Sequence, residues 1–154
     1  MVECSTPIED EGYLKLFISF GIRGDRLDPD EITAALGVRP AWTHRKGEEY
    51  VSRDGRKMTR PSTVWGVKTE LSVQSKDLND HAKHLLELLE PRRAAIQLMR
   101  QQAQYSDVRI WYQIDNLVAN FGLRGDLLSR LASLADEVVF SIITHDPEQG
   151  PPDW

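Results

Sequence analysis

The sequence predicts an α+β fold: one mostly antiparallel or mixed sheet with helices on one face, in the order β-α-β-β-α-β-α-β, whose first six elements match the ferredoxin-like order. Three observations predict it. Apolar segments of period 2 alternate with segments of helical period along the 154 residues. The first helical segment is bracketed by a start and a stop signal. Finally, Phe20-Gly21-Ile22-Arg23-Gly24-Asp25 returns as Phe121-Gly122-Leu123-Arg124-Gly125-Asp126, with five of six residues identical, which predicts a duplicated strand-turn-helix-strand unit.

Residues 13–20 place Leu14, Leu16, Ile18 and Phe20 on one side of a strand. After the glycine turn, Asp28 can cap a helix, Pro29 suits its first position and Glu31 its third, and Gly37 followed by Pro40 stops it. Residues 42–62 form an exposed excursion with a short strand near Tyr50 and a hairpin turn at Ser52-Arg53-Asp54-Gly55. Trp42 is placed in its loop. From Thr63 to Leu71 alternation returns, with Thr63, Trp65, Val67, Thr69 and Leu71 sharing a side. Residues 77–104 are helical and must break or kink at Pro91. A strand over Val108–Asp115, a helix over about 126–135 and a strand over Glu137–Thr144 complete the domain. Residues 1–12 and 146–154 read as flexible tails around a single domain at 13–145, the second rich in Pro and Gly.

The chain is long enough to bury a core unaided. Its one cysteine, Cys4, permits neither an internal disulfide nor a multi-cysteine metal site. No apolar run reaches the roughly 18–20 residues that span a bilayer, and the expected location is the cytoplasm. The net charge of −5 opposes generic binding to phosphate backbones, but residues 39–60 carry seven Lys or Arg against three acids, a local +4 on a body of −9.

The run Leu27-Asp28-Pro29-Asp30-Glu31-Ile32, then Leu36-Gly37-Val38-Arg39-Pro40, Lys46-Gly47 and Trp65, resembles the bacterial domain of unknown function family 4279. The likeness covers about residues 13–145. It implies a single cytosolic α+β domain and transfers no catalytic residue. It also draws attention to Trp42, Lys46, Gly47 and Trp65, on or beside the basic excursion.

Chemical motifs are sparse. There is no G-x-S-x-G, P-loop or G-x-G-x-x-G pattern. His81 and His84 lie three apart on a helix, short of the three or four ligands that a metal site needs, and a solvated helix flank is the simpler reading. The Arg-Gly-Asp triplets read as turn chemistry. On the second face of the sheet, Tyr13, Lys15 and Phe17 and then Arg109, Trp111 and Gln113 interleave rings and cations. That face suits a dimer interface or a covering helix better than a platform for single-stranded nucleic acid.

The resulting expectation is a small cytoplasmic binding protein, not an enzyme, that engages an acidic protein partner through residues 42–62. Trp42, Arg45, Lys46, Tyr50 and Trp65 are its expected binding residues, because Trp and Arg dominate binding hot spots. No catalytic residue, metal or cofactor is expected. The alternatives are a pocket protein or enzyme acting on an anionic small molecule, with Arg45, Lys46 and Trp42 lining the site, and single-stranded nucleic-acid binding on the open sheet.

Overall fold

The centre of the sheet is β1 (Tyr13–Arg23) in the computed structural model, which describes residues 13–114 and 120–144. The expected tails, with Cys4 and His145, lie outside the described residues, and Tyr13, Leu14 and Thr144 are described by backbone alone. The other strands are β2 (Trp42–His44), β3 (Glu49–Val51), β4 (Lys57–Thr59), β5 (Val64–Lys68), β6 (Tyr105–Ile114) and β7 (Glu137–Thr144). Helices are α1 (Pro29–Leu36), α2 (Leu78–Leu89), α3 (Arg93–Gln102) and α4 (Gly125–Ala132).

Five strands form one sheet in the order β2-β5-β1-β6-β7, and β3 and β4 form a separate hairpin. Every pairing in the large sheet is antiparallel except β6 with β7, which is parallel. Parallel neighbours need a crossover, and α4 supplies it. The sheet is therefore mixed, within an α+β fold as the sequence predicts.

Alternation decides the two faces. Leu16, Ile18, Phe20 and Ile22 of β1 are buried, together with Trp65 and Val67 of β5 and Val108, Ile110 and Tyr112 of β6. Against them pack Ile32 and Leu36 of α1, Leu78, Ala82, Leu85, Leu86 and Leu89 of α2, Ile96 of α3, and Leu127 and Leu131 of α4. These helix positions recur at spacings of three and four, so each helix presents one apolar stripe to the sheet. Among the described residues the opposite sheet face carries no helix.

The helix signals act as expected. The Asp28 carboxylate accepts from the Asp30 N–H at 2.9 Å, Pro29 opens α1, and Gly37 closes it at φ 63°. Pro91 sits in a 3₁₀ turn (Glu90–Arg92) that separates α2 from α3. Among the described residues no helix is long and apolar enough to cross a membrane.

Three local expectations change. Trp42 lies not in a loop but in β2, where Trp42, Thr43 and His44 pair with Gly66, Trp65 and Val64; three residues are too few to show a period in sequence. β5 stops at Lys68, and the chain turns at Thr69, whose carbonyl accepts from Ser72 and Val73 N–H, leaving Leu71 84% exposed. The echoed hexapeptides also occupy different settings. Phe20–Arg23 is the end of β1, paired on both sides, whereas Phe121–Arg124 is a loop before α4. Asp25 consequently precedes its helix and binds Lys46, while Asp126 lies inside α4 and binds Arg124.

His81 is buried in the core side of α2 rather than on a solvated flank. Its Nε2 lies 2.7 Å from the Ser75 carbonyl, which can only accept, so Nε2 donates there, and Nδ1 is hydrogen-bonded to the Thr69 hydroxyl at 2.6 Å. Thr69 Oγ1 in turn accepts from the Ile18 N–H at 3.0 Å. Both ring nitrogens thus serve to clamp the β5–α2 connection onto β1.

Candidate functional site

The helix-free face of the sheet is a concavity of about 510 Å³. Strand register arranges its floor in rows. His44, Val64, Arg23 and Tyr105 form the row at one end. Trp42, Gly66, Gly21 and Asp107 follow, then Lys68, Ser19 and Arg109, then Phe17 and Trp111, and finally Lys15 and Gln113. Arg53, Arg60, Pro61 and Ser62, from the hairpin and the segment after it, close one side.

The second row contains the most constrained packing. A Cβ placed on Gly66 would lie 2.1 Å from Trp42 Cζ2, 2.4 Å from Cε2 and 2.5 Å from Cη2, and one on Gly21 would lie 3.6 Å from Cζ2. The indole therefore lies across two paired glycines, in a slot that only a glycine at position 66 leaves open. Its other face is half-buried and lines the concavity. Gly21 belongs to the first echo, and a Cβ there would touch the indole only at ordinary contact distance while standing 3.2 Å from Asp107 Oδ1.

Further along, Phe17 and Trp111 stack with centroids 5.4 Å apart, and the Trp111 Nε1–H donates to Ser19 Oγ at 3.0 Å. Lys15 and Lys68 flank the Phe17 ring at 5.5 and 5.6 Å, and Arg109 lies 5.5 Å from the Trp111 ring. Cations over ring faces are attracted by the ring quadrupole and hold these aromatics in place.

Among the described residues, six cations and two carboxylates line the concavity. Glu70 is bound by both Lys15 and Lys68, and Asp107 by Arg109 at 2.9 Å. Among the described residues no carboxylate pairs with Arg23 or Arg60; the Arg60 guanidinium instead stacks 3.6 Å above the Tyr50 ring. Burial, reinforced by Arg60, holds the His44 imidazole below its usual pKa. At the rim, burial and a hydrogen bond to Glu137 push the Tyr105 phenol up to about 12.

Burial acts to raise the Glu70 carboxyl, but Lys15 and Lys68 outweigh it and hold the group below its ordinary 4.5. A carboxyl depressed in the folded state adds stability above its unfolded pKa and loses it as pH falls through the folded value. Glu70→Gln is therefore expected to show a shallower loss of stability than the wild type below about pH 4.5, measured by urea unfolding across an acid series. Parallel curves would mean that the two lysines do not stabilise the carboxylate.

The five residues singled out from the sequence are not brought together. Trp42 lines the concavity, and Tyr50 stands behind Arg60 at its edge. Trp65 faces the other way, fully buried in the core, with Nε1–H donating to Thr33 Oγ1 at 3.0 Å. Arg45 is paired with Asp28 and Asp30 at 3.2 and 2.8 Å, and Lys46 with Asp25 at 2.8 Å, so both cations are tied to the start of α1 and the turn before it. Alternation anticipates Phe17, Lys15, Arg109 and Trp111 on this face. Arg23, His44 and Arg60 are not among the expected binding residues, although His44 and Arg60 belong to the expected 42–62 excursion; the available signal is a glycine inside each of two strand-like segments, which marks a close approach.

A family model described as "Domain of unknown function (DUF4279)" matches residues 14–145. No curated protein and no solved structure matches the chain.

Proposed function

We propose that this chain, which belongs to the DUF4279 family, binds a small anionic ligand in the concavity on the open face of its sheet. The observation that carries the reading is the charge of the cavity among the described residues: six cations against two carboxylates, both carboxylates already engaged, over a floor of Trp42, Phe17 and Trp111. Arg23 and Arg60 are the cations that an incoming anion meets without first displacing a carboxylate. A guanidinium presents a planar fork of donors that suits carboxylate or phosphate oxygens. The volume lies in the usual range for small-molecule sites.

The role is that of a binder rather than a catalyst. Glu70, held by Lys15 and Lys68 below its ordinary range, is a weak base, and Asp107 is tied to Arg109. The fold also reads as ferredoxin-like with the β3–β4 hairpin inserted, a reading supported by the neighbour order β2-β5-β1-β6.

Thermal unfolding with a panel of phosphorylated and carboxylated small molecules tests this. A ligand at about 100 times its Kd adds about 2.7 kcal/mol, which raises Tm by roughly 5–11 °C for a domain of this size. Arg23→Ala with Arg60→Ala is expected to abolish the rise. A panel without effect at low salt would overturn the proposal.

A protein partner on the hairpin is the second reading, favoured by Val51 and Met58, which are 66% and 42% exposed there. Met58→Glu would then release the partner and leave anion binding intact.

A further inference from the structure

The cavity sets an aromatic floor beside a row that holds a cation. Resting on the proposed anion site, we infer that the ligand is a nucleotide, with its base stacked on Trp42 and its phosphate held by Arg23 and Arg60.

Three placements converge on that chemistry. Trp42 offers one indole face to the cavity while the other lies against Gly66 and Gly21, so the ring is a rigid flat platform. Bases of every kind stack on such a ring because each has a π-face. His44 follows Trp42 on the same side of β2, and Arg23 stands across Val64 from it in the same row. Arg60 lines the same cavity from the segment after the hairpin, three residues before Thr63, whose carbonyl accepts from the Gly24 N–H beside Arg23 at 3.0 Å. Two residues along a strand separate the platform from this cationic row by about 7 Å, the span of a pentose between base and phosphate.

The third placement concerns the edge of the base. Asp107 shares the row of Trp42 and Gly21, and its Oδ1 would stand 3.2 Å from a Cβ on Gly21. Arg109 takes Oδ2 through Nε and Nη2 at 3.1 and 2.9 Å, while Oδ1 accepts from no group among the described residues. An acceptor beside a stacking platform selects a ring with N–H donors on its edge, as nucleobases have and simple aromatic acids lack. A free nucleotide suits the cavity better than a strand: one drug-sized ligand fills it, and a chain of net charge −5 repels a polyanion.

Calorimetric titration of the full chain at low salt with GMP, AMP, UMP, ribose 5-phosphate, inorganic phosphate and a single-stranded tetranucleotide tests the inference. At least one mononucleotide is expected to bind tenfold or more tightly than ribose 5-phosphate, and to quench tryptophan fluorescence. Trp42→Phe keeps a stacking ring and is expected to keep that preference while losing the quench; Trp42→Ala is expected to lower nucleotide affinity at least tenfold and leave ribose 5-phosphate unchanged. Equal binding of ribose 5-phosphate and all three mononucleotides would overturn the nucleotide and leave the anion site standing. A tetranucleotide tenfold tighter than every mononucleotide would overturn it in favour of a strand. Absence of binding by every probe would remove the nucleotide; failure of the wider anion panel would remove the site as well.

Discussion

Trp65→Ala is expected to cost about 3–5 kcal/mol of folding free energy and to lower Tm by roughly 6–20 °C. The residue is fully buried, the largest side chain so placed, and meets α1 through its hydrogen bond to Thr33. Removing it leaves a cavity between sheet and helix and a hydroxyl that has lost a donor. Trp65→Phe keeps most of the volume and is expected to cost roughly 1–3 kcal/mol, mainly through the lost hydrogen bond and residual void. Calorimetric or urea unfolding measures both. Neither substitution touches the open face, so the affinity of the folded fraction for an anion is expected to match the wild type. An affinity that falls with a stability that does not would place Trp65 in the binding site instead.

One residue along the same strand, the expectation reverses. Gly66→Ala adds a single carbon where Trp42 already lies, at 2.1 Å from Cζ2, and the indole must leave its slot. Overpacking of this kind costs about 1–3 kcal/mol. Because the ring that moves is the floor of the concavity, ligand affinity is expected to fall with it. A double-mutant cycle separates clash from strand propensity: in a Trp42→Ala background, Gly66→Ala is expected to cost less than half as much, since nothing then occupies the space. Equal costs in the two backgrounds would show that the slot is not what the glycine provides.

Trp65 and Gly66 also show how far the sequence could be read. Alternation placed Trp65 among the inward residues of its strand, and it set Leu16, Ile18, Phe20, Val108 and Ile110 on the core side because period 2 is a local property. The caps of α1 were equally legible, since Asp28, Pro29 and Gly37 act on their own neighbours. What was not legible depends on pairing between distant segments. The three residues of β2 are recognisable only beside β5, and without that pairing Trp42 looks like a loop residue. The basic excursion looked like one patch by composition, yet Arg45 and Lys46 turn to Asp28, Asp30 and Asp25, while Arg53 and Arg60 line the cavity. Charges adjacent in sequence separate in space because the β3–β4 hairpin reverses the chain between them.

The central position of β1 bears on how the chain is made. Its partners are late: Phe20 pairs with Val67 on one side and with Val108 on the other. At a synthesis rate of about 5–20 residues per second, the second of these follows the first strand by roughly 4–18 s. During that interval the most apolar strand of the nascent chain has at least one unsatisfied edge, the condition that chaperones recognise and that favours aggregation. Contacts so distant in sequence also delay folding once the chain is complete, because loop closure must precede the pairing that rewards it.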